Sequence, residues 1–252
     1  MIRIFIGYDP REEIALHVLA GSILRRSSQP VAIAPIALST LKPVFDRPRD
    51  PKQSTDFSFS RFLTPYLAGF TGWAIYMDCD MVMLDDVANL WRLRDESCAL
   101  MCVQHHHVPK EGTKFLREAQ IPYARKNWSS VMLMNCGACS ALTPEYVATA
   151  SGLELHQFKW LEDRQIGALP ARWNHLVDYD PPRALEDISL LHFTNGGPYF
   201  KDFAACGYAE LWREEWRRGN FCADQAGRPA PKTEHTHGPA EASLLESVVT
   251  DR

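Results

Sequence analysis

Residues 73–80 read Trp-Ala-Ile-Tyr-Met-Asp-Cys-Asp, an apolar run that ends in two aspartates one residue apart. Such a run is typical of a buried strand in an α/β sheet, and the polar residues after it emerge at the sheet edge where these folds bind ligands. Asp78 and Asp80 point the same way in extended backbone and are therefore placed to share one divalent cation, such as Mg2+ or Mn2+. Taken alone, the pair is more often an acidic turn that ends a strand.

The pattern on both sides of this stretch predicts an α/β domain. Residues 2–6 form a β-rich run, residues 11–25 carry apolar side chains at helical spacing, and residues 31–38 supply a second strand. Two strands joined by a helix are parallel, because parallel pairs need a crossover connection. We expect residues 40–55 to form an exposed loop. Further strands are predicted at 74–77, 82–84, 99–103, 131–136 and 190–193, and helices at 57–68, 85–91, 144–151, 161–169 and 208–218.

Composition favours one large domain and argues against nucleic acid as a partner. The 252 residues are 46% hydrophobic, which supports a substantial core. The 27 basic and 31 acidic residues form no long run of one sign, so the chain lacks the positive surface that a polyanion requires. We predict a catalytic domain over residues 1–222 and a disordered tail over residues 223–252, where Ala, Pro, Gly, Glu and His dominate.

Cysteine content and the apolar profile bear on the cellular compartment. Seven cysteines, an odd number, and a first segment without the features of a secretory signal favour a reduced, cytoplasmic setting. Since no run of about 18 apolar residues occurs, we expect no membrane-spanning helix. Residues 208–218 place Leu211, Trp212 and Trp216 among three arginines. This segment is either a helix that covers the core or a peripheral contact with the inner face of a membrane.

Five motifs follow one another along the chain in an order and spacing that resemble glycosyltransferase family 8 over about residues 1–200. They are Gly7-Tyr8-Asp9, Ser60-Arg61-Phe62, Asp78-Cys79-Asp80 with the following Asp86–Trp91, Val131–Asn135, and His192-Phe193-Thr194-Asn195-Gly196-Gly197-Pro198. The resemblance implies a GT-A fold, a Rossmann-like α/β architecture with a mixed, mainly parallel sheet flanked by helices. It also implies retaining transfer of a sugar from a nucleoside diphosphate sugar, typically a UDP-hexose, to a hydroxyl acceptor such as a glycan, a lipid or a small molecule.

The resemblance assigns a metal and a diphosphate to the residues around the two aspartates. It implies that Asp78, Asp80 and His192 bind the metal and that Cys79 and Arg61 contact the nucleotide sugar. We favour Mn2+ over Mg2+, because an imidazole ligand suits transition metals better. The planar guanidinium of Arg61 suits an oxyanion, although a helix arginine is more often a solvated charge.

The glycine-rich turn after His192 departs from the family pattern. Gly196 and Gly197 allow backbone to approach a diphosphate closely, although a simple tight turn also uses glycine. Family members often carry a glycine three residues and a lysine six residues after the histidine, where this chain has Asn195 and Pro198. Lys201 is therefore our candidate for the missing cation beside the leaving diphosphate.

Gly7, Tyr8 and Asp9 follow the first strand, where the resemblance implies contacts to the nucleoside. Tyr8 can stack on a base, and Asp9 can accept hydrogen bonds from the base or the ribose. An ordinary strand-to-helix turn accounts for the same three residues.

Residues 161–166 resemble the acidic segment that lines the donor sugar in the family. They imply catalytic contacts from Asp163 and Gln165, with Asp163 orienting the sugar while the acceptor attacks on the face of the leaving group. Ser129 or Ser130 replaces a glycine that usually touches this sugar. The loop at His105-His106-His107 is either solvated or in contact with the acceptor.

Two other functions remain open at the level of sequence. An Asp-x-Asp after an apolar strand also fits haloacid-dehalogenase-like phosphatases, although that motif usually lies near the amino terminus. The altered turn at Asn195 and the Ser129-Ser130 pair favour a descendant that binds a nucleotide sugar or glycan without turning it over. The sequence identifies neither the donor nor the acceptor.

Overall fold

The structure is a computed structural model that describes residues 1–50, 53–106, 112–113, 119–120 and 124–220. The predicted tail at residues 223–252 and His107 lie outside the described residues, so the predictions made for them stay predictions.

The described residues form eleven strands and eight α-helices. The strands are β1 (Ile2–Gly7), β2 (Val31–Ile36), β3 (Trp73–Met77), β4 (Met81–Met83), β5 (Leu100–Cys102), β6 (Gly112–Thr113), β7 (Ala119–Gln120), β8 (Val131–Asn135), β9 (Ile166–Ala168), β10 (His175–Leu176) and β11 (Leu190–His192). The helices are α1 (Glu13–Arg26), α2 (Leu38–Leu41), α3 (Phe57–Ser60), α4 (Thr64–Leu67), α5 (Val87–Arg92), α6 (Pro144–Thr149), α7 (Gly152–His156) and α8 (Ala209–Asn220).

The central sheet has the strand order β2-β1-β3-β8-β5-β9. β1 pairs in parallel with β2 and β3, and β5 pairs in parallel with β9, whereas β8 runs antiparallel to both β3 and β5. The predicted mixed, mainly parallel sheet is therefore confirmed. β6 and β7 form a separate antiparallel pair.

Side-chain alternation along β3 divides the core between the two faces of this sheet. Ile75 and Met77 pack in one apolar cluster with α1, while Ala74 and Tyr76 pack in a second cluster on the other face. Because the alternation continues past the end of β3, Asp78 follows the direction of Tyr76, and Cys79 joins the core on the side of Met77.

A small second sheet sets the position of His192. Its strand order is β10-β11-β4, and β4 begins directly after Asp80. The antiparallel register places His192 opposite Met81, and the Phe193 amide donates to the Asp80 carbonyl at 2.8 Å. A residue more than a hundred positions away in sequence is thereby brought next to the acidic pair.

Two predictions about local structure were wrong. Residues 161–169 do not form a helix: a 3-10 turn at Asp163–Gln165 leads into β9. A Cβ on Gly167 would lie 2.9 Å from Cγ of Met101, its partner in β5, so close packing against the neighbouring strand favours glycine in this extended segment. Residues 40–55 are not uniformly exposed either, because Phe45, Gln53 and Thr55 are buried.

Other local predictions are confirmed. The segment 57–68 is divided into α3, a 3-10 turn and α4, with Pro65 in the first turn of α4. α8 covers the core with the buried Trp212, and the buried carboxylate of Glu215 pairs with Arg25 and Arg26 at the end of α1. Contact of α8 with a membrane stays a prediction. Within the described ranges, no helix is long and apolar enough to span a bilayer.

Candidate metal centre and cavity

Asp78, Asp80 and His192 converge at the carboxyl end of β3. One ligand atom of each side chain lies within 4.8 Å of the others, and the three residues are only 7%, 6% and 2% exposed. Two carboxylates and an imidazole form a donor set suited to a divalent cation such as Mn2+. Since burying two negative charges together is costly, the cluster fits a cation better than it fits a structural turn.

Asp78 is held in place from two directions. The Arg61 guanidinium Nη1 lies 2.9 Å from Asp78 Oδ1, and the Tyr76 hydroxyl donates to the same oxygen at 2.8 Å. Burial raises the pKa of Asp78, an effect that Arg61 opposes and the charge of Asp80 reinforces. A bound cation would counter that effect by favouring the ionised form.

His192 presents its two ring nitrogens to different partners. Nε2 lies 3.3 Å from Asp80 Oδ1, and Nδ1 lies 2.9 Å from the side-chain oxygen Oδ1 of Asn174. Asn174 is fully buried on the 3-10 turn that precedes β10. Sequence analysis missed it, because its proximity to His192 depends on the pairing of β10 with β11.

The three residues line a cavity of about 330 Å³, which is within the usual range for small-molecule sites. Its other walls come from residues within the segments 53–59, 126–130 and 151–156, together with Asp50, Arg61 and Thr194. Hydroxyl, amide and aromatic side chains predominate on these walls, and Lys126 adds a cation. This chemistry suits a polyhydroxylated ligand with a negatively charged end.

Arg61 is the predicted nucleotide-sugar contact that lines this cavity beside Asp78, whereas Cys79 faces the core. The thiol of Cys79 is fully buried among apolar side chains, and burial raises its pKa well above the ordinary value. Contact between Cys79 and a nucleotide sugar stays a prediction.

Gly7, Tyr8 and Asp9 lie outside the cavity lining among the described residues. A Cβ on Gly7 would overlap the Tyr76 hydroxyl, so this glycine makes room for the group that holds Asp78. Tyr8 is partly buried against the core. Asp9 is fully buried and accepts hydrogen bonds from the backbone amides of Arg11 and Asp56, at 2.9 and 3.0 Å.

The electrostatics of Asp9 agree with this placement. Burial alone would raise its pKa, but hydrogen bonds from Arg11 and from the Asp56 amide, with the Arg11 charge, outweigh burial and lower it. The carboxylate is thus committed to anchoring the turn after β1, and its predicted role toward a nucleoside stays a prediction.

The glycine-rich turn packs against the protein itself. Asn195 Oδ1 accepts from the Tyr179 hydroxyl at 3.0 Å, and Gly196 has a φ of +132° that favours glycine. A Cβ on Gly197 would overlap the ring of Tyr199. Lys201 is exposed and, like these three turn residues, lies outside the cavity lining, so their predicted contacts with a diphosphate stay predictions.

Tyr199 links this turn to a buried carboxyl group that sequence analysis missed. Its hydroxyl donates to Glu12 Oε2 at 2.6 Å, while Glu12 Oε1 is buried and accepts no hydrogen bond from the described residues. Burial raises the pKa of Glu12 well above the ordinary value, and the charges of Asp80, Asp9 and Asp78 act in the same direction. No local pattern around Glu12, in the turn before α1, distinguishes it from a surface residue.

Asp163 and Gln165 lie apart from the cavity. The Asp163 side chain is 84% exposed and pairs with Arg125 at 2.5 Å, and Gln165 Oε1 accepts from the Glu162 amide at 3.0 Å. Neither lines the cavity in the described part of the chain. Their catalytic assignment stays a prediction.

His156 is a further cavity residue that sequence analysis missed. Its Nδ1 lies 2.8 Å from the Ser129 hydroxyl, and the Phe62 ring packs edge-on against it at 5.2 Å. Burial lowers the pKa of His156 well below the ordinary value, and the charges of Arg61 and Lys126 add to that effect. The imidazole is therefore neutral at physiological pH. Of the predicted acceptor-loop histidines, His106 is exposed, and the His105 carbonyl accepts from the Trp128 indole at 2.9 Å.

The fold is similar to those of solved glycosyltransferases. The glycosyltransferase GlyE of Streptococcus pneumoniae TIGR4 superimposes with a TM-score of 0.57 at 14% identity, covering 85% of this chain and 60% of that one. This chain therefore spans less than two thirds of GlyE. The galactosyltransferase LgtC, solved with donor and acceptor sugar analogues, has a TM-score of 0.54 at 12% identity, covering 86% and 96% of the two chains. These likenesses show a GT-A fold.

Sequence comparison identifies a nearer relative. No family model matches the chain. Protein CDI of Arabidopsis thaliana is 47% identical over 228 residues, which cover 86% of this chain and 87% of that protein. The chain therefore belongs to the family of protein CDI, with the GT-A fold.

Proposed function

We propose that the protein is a metal-dependent glycosyltransferase that moves a sugar from a nucleoside diphosphate sugar to a hydroxyl acceptor. The observation that carries the proposal is the convergence of Asp78, Asp80 and His192 on the wall of a cavity, within a GT-A fold. The family 8 resemblance supports a retaining mechanism and a UDP-hexose donor as the finer form of the same proposal.

The three converging residues would hold Mn2+ or Mg2+, and the imidazole favours Mn2+. When bound there, the metal would act as a Lewis acid toward the departing diphosphate. The chain's own contribution is to keep the ligands ready: Arg61 and Tyr76 restrain Asp78, and the pairing of β4 with β11 holds His192 beside Asp80. Such preorganisation lowers the cost of stabilising charge in the transition state.

Charge on the leaving diphosphate needs a cation besides the metal. Arg61 is engaged with Asp78, so its main task is to brace the metal ligand. Lys126 lies on the cavity wall, whereas the predicted Lys201 is exposed outside it. We therefore add Lys126 to Lys201 as a second candidate for this role.

The sugar and the acceptor would lie against the polar walls of the cavity. Ser129, Ser130 and Thr194 offer hydroxyls near the three metal-binding candidates, and Phe57 and Phe59 offer apolar ring surface. Asp163 and Gln165 remain proposed contacts of the reacting sugar, and attack by the acceptor on the leaving-group face remains the proposed route to retention.

The two other functions have less support. Haloacid-dehalogenase-like phosphatases place their nucleophilic aspartate after an early strand, whereas here the acidic pair follows β3 and joins a histidine from β11. A descendant that binds a nucleotide sugar without turning it over would use the same cavity. Only turnover separates it from the proposed enzyme.

The test is a panel of UDP-, GDP- and ADP-sugars incubated without acceptor in Mn2+, Mg2+ or EDTA. We expect slow release of free sugar from one donor in Mn2+, weaker release in Mg2+ and none in EDTA. Binding of a donor without hydrolysis, and without transfer to an added acceptor, would favour the non-catalytic function. Turnover of p-nitrophenyl phosphate would indicate a phosphatase instead.

A further inference from the structure

A series of hydrogen bonds leads from His192 through the buried Asn174 to Ser130 and Asn127 on the cavity wall. Asn174 Oδ1 lies 2.9 Å from His192 Nδ1, and Asn174 Nδ2 donates to the Ser130 hydroxyl oxygen at 2.8 Å. That hydroxyl donates in turn to the Asn127 carbonyl at 2.7 Å. Asn174 is fully buried and Ser130 is 2% exposed, so water has little access to these bonds.

The donor and the acceptor of each hydrogen bond in this series can be assigned by starting from the Asn127 carbonyl. The Asn127 carbonyl can only accept, so the single hydroxyl proton of Ser130 is committed to it. Ser130 must then accept from the Asn174 amide nitrogen, which turns the amide oxygen toward His192. Because an amide oxygen cannot donate, His192 Nδ1 must carry a proton.

This proton leaves Nε2 of a neutral His192 with a lone pair, directed toward Asp80 Oδ1 at 3.3 Å. Two acceptors facing each other at that distance repel unless a cation lies near both. With the amide of Asn174 reversed, Nδ1 would accept and Nε2 would carry the proton, so His192 would donate to Asp80 and could not bind a metal.

We propose that Asn174, oriented by Ser130, is a positioning residue that holds His192 in the tautomer able to bind the metal. The inference rests on the metal centre of the proposed function. It assigns a role to Ser130 that differs from sugar contact: the hydroxyl sets the direction of the Asn174 amide, which a glycine or an alanine at this position would not do.

The first measurement is the affinity for Mn2+. Binding is detected as a decrease in the electron paramagnetic resonance signal of free Mn2+. We expect Asn174→Leu to weaken binding about 10- to 100-fold, the usual effect of removing a partner that orients a metal ligand. Asn174→Asp should stay close to the native affinity, because one carboxylate oxygen accepts from Nδ1–H while the Ser130 hydroxyl turns to donate to the other. Ser130→Ala should lie between the two, because the amide is then free to reverse.

Ser189→Ala is the matched control. Ser189 is fully buried directly before β11, and its hydroxyl donates to Asp85 at 2.9 Å and accepts from Arg172 Nε at 2.6 Å. The variant therefore loses two hydrogen bonds, one of them to the turn that carries Asn174, without touching His192. We expect its Mn2+ affinity to match the native protein. Thermal unfolding of every variant shows whether the fold is retained.

The second measurement is made without metal, and its main result comes from the native protein. Two-dimensional 15N NMR of the metal-free native protein, at about pH 8.5 where an ordinary imidazole is neutral, distinguishes the two tautomers. The His192 signals are identified by their loss in His192→Gln. We expect the Nδ1–H form in the native protein and in Asn174→Asp, and a mixture in Ser130→Ala.

Two results would overturn the inference: the Nε2–H tautomer in the native protein, or native Mn2+ affinity in a folded Asn174→Leu. Neither result bears on whether the enzyme transfers sugar. Conversely, failure of every donor in the panel, with Mn2+ affinity responding as expected, would overturn the proposed function and leave this inference standing.

Discussion

The acidic pair at Asp78 and Asp80 and the acidic turn at Asp163 both resemble catalytic segments in sequence, but the fold treats them differently. The pair is 7% and 6% exposed, and Arg61, Tyr76 and His192 surround it. Asp163 is 84% exposed in its side chain and forms an ion pair with Arg125.

The difference in burial shows which of these carboxylates needs a functional explanation. Burying a carboxylate costs several kcal/mol unless a cation or donors compensate, so a fold that buries two side by side requires a compensating partner. An exposed carboxylate costs almost nothing, and its ion pair is worth about 1 kcal/mol or less. Burial therefore supports a metal-binding role for Asp78 and Asp80, whereas the exposure of Asp163 gives no evidence for or against a catalytic role.

The strongest test of this comparison makes the same substitution in both regions. We expect Asp80→Asn to lower Mn2+-dependent sugar release about 100- to 1,000-fold, because it removes preorganised charge at the reacting diphosphate. Asp163→Asn should lower it by less than about tenfold, in line with the loss of an exposed ion pair. Initial rates with the donor found in the panel, at saturating Mn2+, give both values.

Asparagine preserves side-chain volume, and unfolding curves of the two variants serve as the control for structure. If a folded Asp80→Asn variant released sugar at the native rate, Asp80 would not be a ligand of the catalytic metal. Equal, large losses in both variants would instead establish the catalytic role predicted for Asp163 from sequence and would erase the contrast between the regions.

A second pair of variants asks which lysine serves the diphosphate. A charged hydrogen bond to phosphate is worth about 1.5–3 kcal/mol, so Lys126→Ala should lower kcat/KM for the donor about 10- to 100-fold. Lys201→Ala should change it less than about twofold, because Lys201 is exposed outside the cavity lining.

Lys126→Arg should recover part of the loss, since it restores the charge but not the shape. A larger loss of kcat/KM in Lys201→Ala than in Lys126→Ala would contradict this expectation. It would mean that Lys201, near the glycine-rich turn, supplies the cation that the family pattern places there. It would also mean that the turn moves toward the ligand on binding.

The sequence predicts those parts of the site that depend on local pattern. Alternation along β3 is a property of neighbouring residues, so the buried strand and the common direction of Asp78 and Asp80 follow from residues 73–80 alone. His192 came from the family resemblance, and only the register of β4 with β11 brings it to Asp80.

The remaining features depend on contacts between distant segments. Asn174 reaches His192 through strand pairing, and Lys126 reaches the cavity through a turn in which Asn127 has a φ of +63°. The helix predicted at 161–169 was wrong because residues 166–168 pair in parallel with β5, a contact with a distant segment that has no signal in the local sequence. Burial of Phe45 and Gln53 likewise has no local signal.

Glu12 offers the most delicate test, because it is a further buried carboxyl group whose pKa responds to the charges of the acidic pair. Its pKa is raised well above the ordinary value by burial and by the charge of Asp80, so between those two values the folded state binds more protons than the unfolded state. The free energy of unfolding then falls as pH rises through that window, by about 1.4 kcal/mol per pH unit where the difference is one full proton.

Glu12→Gln removes this slope while keeping an oxygen that can accept from Tyr199. We expect the variant to gain stability relative to the native protein as pH rises from about 5 to 8, measured by urea unfolding in EDTA. Glu13→Gln is the matched control, since the neighbouring side chain is 61% exposed and its variant should follow the native curve. Parallel curves for Glu12→Gln and the native protein would mean that Glu12 ionises in the folded state as it does in water, and would contradict the prediction.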